Sequence, residues 1–182
     1  MTAVRHLISN GHSRIACIQG VETSLPNRKR VEGYVSAMKE AGLDEHIRVT
    51  GNDFSVQNGY VETRLLLNSS PRPTAIFALS NTIALGTFKA IKESGLKIPD
   101  EISLISFDDN VYLDYMEPPV TRIIQPVEDM AKLSVRILLG KIEDRRLRCE
   151  SADSPGNDNS KSVLHLAPKL VRRDSVCVPF CD

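Results

Sequence analysis

Three short apolar runs each end on residues that could do chemistry. Arg14 to Gln19 leads into Gly20 and the segment beyond it, Thr74 to Leu79 into Ser80-Asn81, and Ile102 to Phe107 into Asp108-Asp109. If those runs are strands of an open parallel sheet, ligands bind beyond their carboxyl ends, where these residues stand. Each residue also has a structural job open to it. Ser80 and Asn81 can cap the helix that follows, and Asp108 and Asp109 can start a turn or cap the segment beginning at Asn110. A carboxylate pair also suits general acid–base catalysis or a metal site. No His partner or third carboxylate follows at useful spacing to support either.

Enzyme signatures are otherwise absent. The chain carries no Gly-x-Gly-x-x-Gly, no phosphate-binding glycine loop ending in Lys-Ser/Thr, and no Gly-x-Ser-x-Gly elbow. Its four histidines are scattered, and His12, just past Gly11, reads as a structural hydrogen bonder. A metal site at Cys177 and Cys181 would need a second Cys or His pair at ligand spacing, and none is present. No catalytic residue, metal or cofactor is expected, and the chain is not read as an enzyme.

The elements that would position these residues follow from periodicity. Val4, Leu7 and Ile8 share a helical face that Gly11 stops. Arg14 to Gln19 reads as a buried strand, and residues 27–41 as a helix turning Val31, Tyr34, Val35, Met38 and Ala41 inward. Ile47 to Thr50 suits a strand, and Ser55 suits the N-cap of a helix ending near Asn68. Then come a strand over Thr74 to Leu79, a helix over Thr82 to Ser94, and a strand over Ile102 to Phe107. Repeated strand–helix–strand units imply an α/β fold, a mostly parallel sheet with helices on both faces.

Beyond Pro118-Pro119, Thr121 to Ile124 reads as a strand, and Pro126 opens an amphipathic helix to about Leu139, with Gly140 after it. Val127, Met130, Ala131, Leu133, Ile137 and Leu138 form its apolar stripe, opposite Glu128, Asp129, Lys132 and Arg136. Such a helix is built to bury one face. Residues 143–162 have nothing to bury and read as a mobile loop. Val163 to Ala167 and Leu170 to Arg172 read as short closing strands.

Composition excludes several classes. The 182 residues carry 23 basic and 23 acidic side chains, so the formal charge is zero. Duplex DNA demands clustered Lys and Arg, so this chain is not expected to bind it alone. Hydrophobic residues at 41% and charged residues at 25% describe a globular domain rather than a disordered or coiled-coil chain. No apolar run approaches the ~18 residues that would suggest a membrane span. The four cysteines form no disulfide framework, and with no secretory leader read at the start, a cytoplasmic location is expected.

Three segments, in order, resemble the effector-binding part of the LacI/GalR family of bacterial transcription regulators. The first is His6-Leu7-Ile8-Ser9-Asn10-Gly11-His12-Ser13-Arg14-Ile15-Ala16, and the second Arg30-Val31-Glu32-Gly33-Tyr34. The third runs from Pro73-Thr74-Ala75-Ile76-Phe77-Ala78 through Ala84-Leu85-Gly86 to Ile98-Pro99-Asp100-Glu101-Ile102 and Phe107-Asp108-Asp109. It continues through Pro118-Pro119-Val120-Thr121 to Gln125-Pro126, so that nearly all of residues 4–142 are covered.

The resemblance implies a periplasmic-binding-protein-like fold, two α/β lobes holding a small molecule between them. It begins near the start of the second lobe, so this chain would be the C-terminal lobe without the N-terminal lobe or DNA-binding headpiece. Residues 1–125 and 163–176 would form that lobe, and 126–142 a returning helix that packs on the absent N-terminal lobe. By position, Arg30 matches the arginine that grips the effector, Asp108 the aspartate opposite, and Phe54 an aromatic at the cleft. Ser80 stands where Asn is frequent, Asn81 where Asp is frequent, and Gln125 at a crossover near the cleft. Leu85 and Met116 fall at dimer-contact positions.

The expected effector is a small molecule, a sugar by preference, with operator DNA reached only through the headpiece and a homodimer as the assembly. The chemistry is consistent. A guanidinium and a carboxylate offer paired donors and acceptors to neighbouring hydroxyls, and a Phe face covers the apolar side of a sugar. Without the resemblance, Arg30 would read as a surface charge paired with Glu32 or Asp53, and Phe54 as core. Two rival readings share the architecture: a lobe of a periplasmic sugar receptor serving a transporter, and an α/β enzyme using Asp108 and Asp109.

Overall fold

Alternate residues of a strand point to opposite faces of its sheet, and here both faces are buried. The structure, a computed structural model, describes residues 2–150 and 164–179. Strands β1 (Ile15–Ile18), β2 (Arg48–Thr50), β3 (Ala75–Ala78), β4 (Ser103–Phe107), β5 (Thr121–Ile124) and β6 (Lys169–Val171) form one sheet in the order β2-β1-β3-β4-β5-β6. The first five run parallel, with Ile15 level with Ala75, Ala75 with Ser103, and Ile105 with Thr121.

Helices α1 (Thr2–Ser9) and α2 (Leu25–Glu40) cover one face. Val4, Leu7, Tyr34 and Met38 pack there on Ile15, Cys17, Phe77 and Ile105. Helices α3 (Val56–Leu67) and α4 (Asn81–Glu93) cover the other, where Leu66, Ile83 and Ile91 meet Ala16, Ile18, Ile76 and Leu104. Cores on both sides explain why the strands read as continuous apolar runs rather than alternating ones. The α3–α4 crossing depends on Gly86, where an added Cβ would stand 1.9 Å from the Val56 carbonyl oxygen.

Local signals place most boundaries. Ser55 caps α3 by accepting from the Asn58 amide, and Ser80 caps α4 by accepting from the Ile83 amide. Helix α2 begins earlier than the 27–41 reading, because Pro26 fits its first turn. Asn110 caps a 3-10 turn over Val111–Asp114 that periodicity does not reveal.

The chain divides into two compact units: Met1–Ile124 with Leu170–Asp182, and Gln125–Lys169. The second is built on α5 (Val127–Glu150). Here two expectations are corrected. Gly140 does not stop this helix, and residues 143–150, read as the start of a mobile loop, are helical. One interior glycine costs only about 1 kcal/mol against Ala, and the Leu, Arg and Glu around it are good helix formers. The closing strands read over 163–176 reduce to Lys169–Val171, while residues 164–168 form no strand. The rest of the 143–162 segment, and Cys181, lie outside the described residues. Along α5, Val127, Leu138 and Leu139 are exposed. Among the described residues no helix is long and apolar enough to cross a membrane.

Candidate functional site

In a sheet of order 2-1-3-4-5 the chain turns back between β1 and β3, leaving a crevice at their carboxyl ends. Three loops meet there. After β1 comes Gln19-Gly20, after β3 Leu79-Ser80, and after β4 Asp108. Helix α2, which leaves the β1 loop, delivers Arg30 to this point. One Arg30 Nη donates to the Leu79 carbonyl at 2.7 Å and lies 3.2 Å from Asp108 Oδ2, and the other reaches Asp108 Oδ1 at 3.5 Å. The guanidinium also lies over the Phe107 ring, 3.9 Å from its centroid. Burial lowers the Arg30 pKa, and the Asp108 charge opposes that effect. Arg30 is therefore not a surface charge paired with Glu32 or Asp53.

Asp108 holds its carboxylate in place through an unusual backbone, with φ at +69°. Non-glycine residues rarely adopt this left-handed region, though Asp and Asn do so more readily than most. Phe54 is partly buried on the second core cluster. Its ring lies over Gly20, where a Cβ would come within 2.2 Å of it, so the bare glycine makes room for the aromatic. Its carbonyl accepts from the Thr82 hydroxyl. The aromatic and Asp108, on their loops, and Arg30, on α2, thus converge at one end of the sheet.

The remaining sequence candidates are placed less directly. Ser80 is buried, and its hydroxyl is engaged by the Ile83 amide and, at 2.9 Å, by Thr82 Oγ1. Capping is its visible task. Asn81 opens α4 and donates through Nδ2 to the Asp109 carbonyl at 3.3 Å. Gln125 follows β5 and belongs to the second unit. Leu85 and Met116 are half-buried. Met116 packs against the second core cluster, and near it Val111 and Tyr115 are exposed.

Sequence reasoning missed the layer beneath the crevice. Asn27 is fully buried, accepting from the Gly20 amide at 2.9 Å and donating to Gln19 Oε1 at 3.2 Å. Asn58 Nδ2 donates to the Gln19 carbonyl at 3.0 Å, so the β1 loop is pinned from two helices. The available signal was Asn27 itself, a poor helix former one turn before Arg30. Among the described residues no cluster of His, Cys, Asp or Glu could hold a metal.

A parallel sheet with helices on both faces, and a charged pair beside an aromatic at its turning point, define an α/β lobe of the periplasmic-binding-protein type. Residues 4–176 match the periplasmic binding protein-like domain, and the chain belongs to that family, in its LacI/GalR branch. The ribose operon repressor of Escherichia coli (strain K12) is 38% identical over 175 residues, 95% of this chain and 49% of the repressor. The HTH-type transcriptional repressor PurR of Vibrio atlanticus (strain LGP32) is 32% identical, with 96% of this chain and 49% of that one covered.

A LacI family transcriptional regulator from Enterococcus faecium, solved with bound ribose, superposes with a TM-score of 0.79 at 28% identity. The match covers 97% of this chain and 61% of that one. The lac repressor dimer, solved on operator with the anti-inducer ONPF, gives a TM-score of 0.78 at 28% identity, over 96% of this chain and 56% of that one. The chain spans about half the length of the curated relatives it matches, and those relatives are transcriptional repressors.

Proposed function

We propose that this chain is the C-terminal lobe of the effector-binding domain of a LacI-type regulator, and that it binds a sugar at the Arg30–Asp108 crevice. The observation that carries the reading is the ion pair at the turning point of the sheet, beside the half-buried Phe54. Charged donors and acceptors fix the hydroxyls of a sugar and the ring covers its apolar side. Ribose is the first candidate, because a repressor of a ribose operon and a ribose-bound regulator are among the similar proteins. Arg30, Phe54 and Asp108 make the principal contacts, with Asn81, Ser80 and Gln125 at the margin.

The rest of the proposal follows the relatives. The other lobe, and a headpiece that reads operator DNA, are supplied by sequence outside these residues. Residues 126–142, which include the first turns of α5, pack their apolar stripe on the other lobe, which accounts for the exposure of Val127, Met130, Ile137 and Leu138. The protein acts in the cytoplasm, is not an enzyme, and dimerises through surfaces that include Leu85 and Met116. Ligand binding shifts the balance between open and closed arrangements of the lobes, and with it DNA affinity.

Calorimetry of the full-length protein against a panel of monosaccharides tests the ligand. Binding of ribose or another pentose, weakened in Asp108→Asn, is expected. No binding by any sugar, or unchanged affinity in that variant, rejects the site. Sedimentation of Leu85→Glu and Met116→Glu tests the dimer surface, and persistence of the dimer in both rejects it.

A further inference from the structure

Only one aspartate of the Asp108-Asp109 pair faces Arg30; the other turns toward β5. Asp109 accepts from Arg122 Nε through its carboxylate, while its backbone carbonyl accepts from Asn81 Nδ2 at 3.3 Å. We propose that Asp109 is a positioning residue, tying two ligand-facing side chains, Asp108 and Asn81, to a buried arginine on β5. The inference rests on the ligand reading above.

Arg122 is suited to be the anchor. It is 4% exposed, and its other two nitrogens grip Asp114 at 2.9 and 2.6 Å. Arg173 Nε adds a third contact to Asp114 at 2.8 Å. Hydrogen bonds from these two arginines hold the Asp114 carboxyl well below its usual range, at about 2, so it stays charged across the physiological range. Arg173 is held in turn, with its backbone amide donating to Thr121 Oγ1 at 2.9 Å. The cluster therefore joins β5, the 3-10 turn and the chain just after β6 into one fixed base.

Asp108 needs such a base. Its backbone adopts the left-handed region without a glycine's freedom, a conformation that persists only where the surroundings enforce it. On one side Phe107 is held under the Arg30 guanidinium. On the other, Asp109 is held by Arg122. Releasing Asp109 frees one flank of Asp108 and loosens the acceptor of Asn81, while Arg122 keeps both bonds to Asp114. The arrangement also gives the second carboxylate a role other than acid–base chemistry.

The test uses the full-length protein with ribose as probe, alongside hydrogen exchange in the ligand-free state. Asp109→Ala should weaken ribose binding roughly tenfold, the scale of one lost hydrogen bond at 1.4 kcal/mol per decade. It should also speed exchange across 107–110, beyond what the modest fall in melting temperature from the unpaired Arg122 Nε would bring. Asp109→Asn, whose Oδ1 still accepts from Arg122, should restore both; a merely structural role would not give that pairing. Arg30→Ala is run in parallel. If it weakens ribose binding and Asp109→Ala does not, the positioning role is overturned and the site stands. If Arg30→Ala has no effect, or ribose does not bind, the ligand reading falls. Unchanged exchange in Asp109→Ala then overturns the tether as well.

Discussion

The two ends of the sheet are both polar, and the proposed ligand site lies at only one of them. The amino ends of β1, β3 and β4 border a cavity of about 530 Å³, lined by residues that include His12, Arg14, Thr74, Asp100 and Glu101. That volume alone would suit a small molecule. Its buried polar groups are already matched, however. His12 Nε2 meets the Cys177 carbonyl at 2.9 Å and the Ser103 hydroxyl at 3.0 Å, and Nδ1 meets the Thr74 hydroxyl at 2.9 Å. Since a carbonyl only accepts, Nε2 carries the proton and Nδ1 accepts from Thr74. At the carboxyl ends, the side chains of the Arg30–Asp108 pair are partly reached by solvent, 14% and 28% exposed. On the proposed reading, a charged pair that solvent still reaches, and not volume, separates the ligand crevice from a structural hollow.

Breaking one end at a time sharpens that contrast. Arg30→Ala removes a charged donor from the crevice and should cost about 1.5–3 kcal/mol of ligand binding, with a small change in stability. His12→Ala should do the reverse. It strands the Cys177 carbonyl and leaves the Thr74 hydroxyl only its longer contact to the Arg14 carbonyl at 3.4 Å, at about 1–3 kcal/mol of folding stability, and leaves ligand affinity unchanged. Urea denaturation and calorimetry on both variants decide the matter. A His12 variant that loses ligand at intact stability would break the distinction between the two ends.

A smaller effect tests how the crevice is shaped. Gly20→Ala would place a Cβ 2.2 Å from the Phe54 ring, so the ring must swing aside. Overpacking of this kind costs about 1–3 kcal/mol where the surroundings cannot give, and less at this half-open position. Ligand affinity should fall more than stability does. A crystal structure of the variant with Phe54 unmoved would refute this account of the glycine.

How far this site was legible from sequence depends on the kind of signal each residue left. Ser55, Ser80 and the apolar runs through residue 124 carry local signatures, and the elements they predict are present with boundaries shifted by a residue or two. Arg30 and Asp108 came together through resemblance alone, because 78 residues separate them and no local pattern joins them. Arg122 and the Phe107 ring left no signature at all, and Asn27 only the faint one of a poor helix former inside a helix. Their roles depend on what lies across the sheet, which only the folded chain supplies. Gly140 misled for the opposite reason: it is a local stop signal that the surrounding helix formers outweigh. Local rules fix elements, and long-range pairing fixes chemistry.

The finest difference between the ends is one of pH. Burial lowers the His12 pKa from its ordinary value of 6.5, outweighing the hydrogen bond to the Cys177 carbonyl, which acts the other way. The folded protein therefore holds the ring neutral where the unfolded chain would protonate it. By linkage, the unfolded state binds more protons below 6.5, so stability is full above that value and declines as pH falls through it toward the lower folded pKa. His6, also lowered, contributes in the same direction. The Asp114 pair with Arg122 and Arg173 is lost only at far lower pH, as the medium approaches about 2. Urea midpoints at pH 7.5 and 5.5 isolate the histidines from the carboxylates. The wild type should lose stability between the two, and His12→Asn, which cannot gain a proton, should lose less. An equal loss in both would assign the sensitivity to His6 and remove the amino-end network from the account.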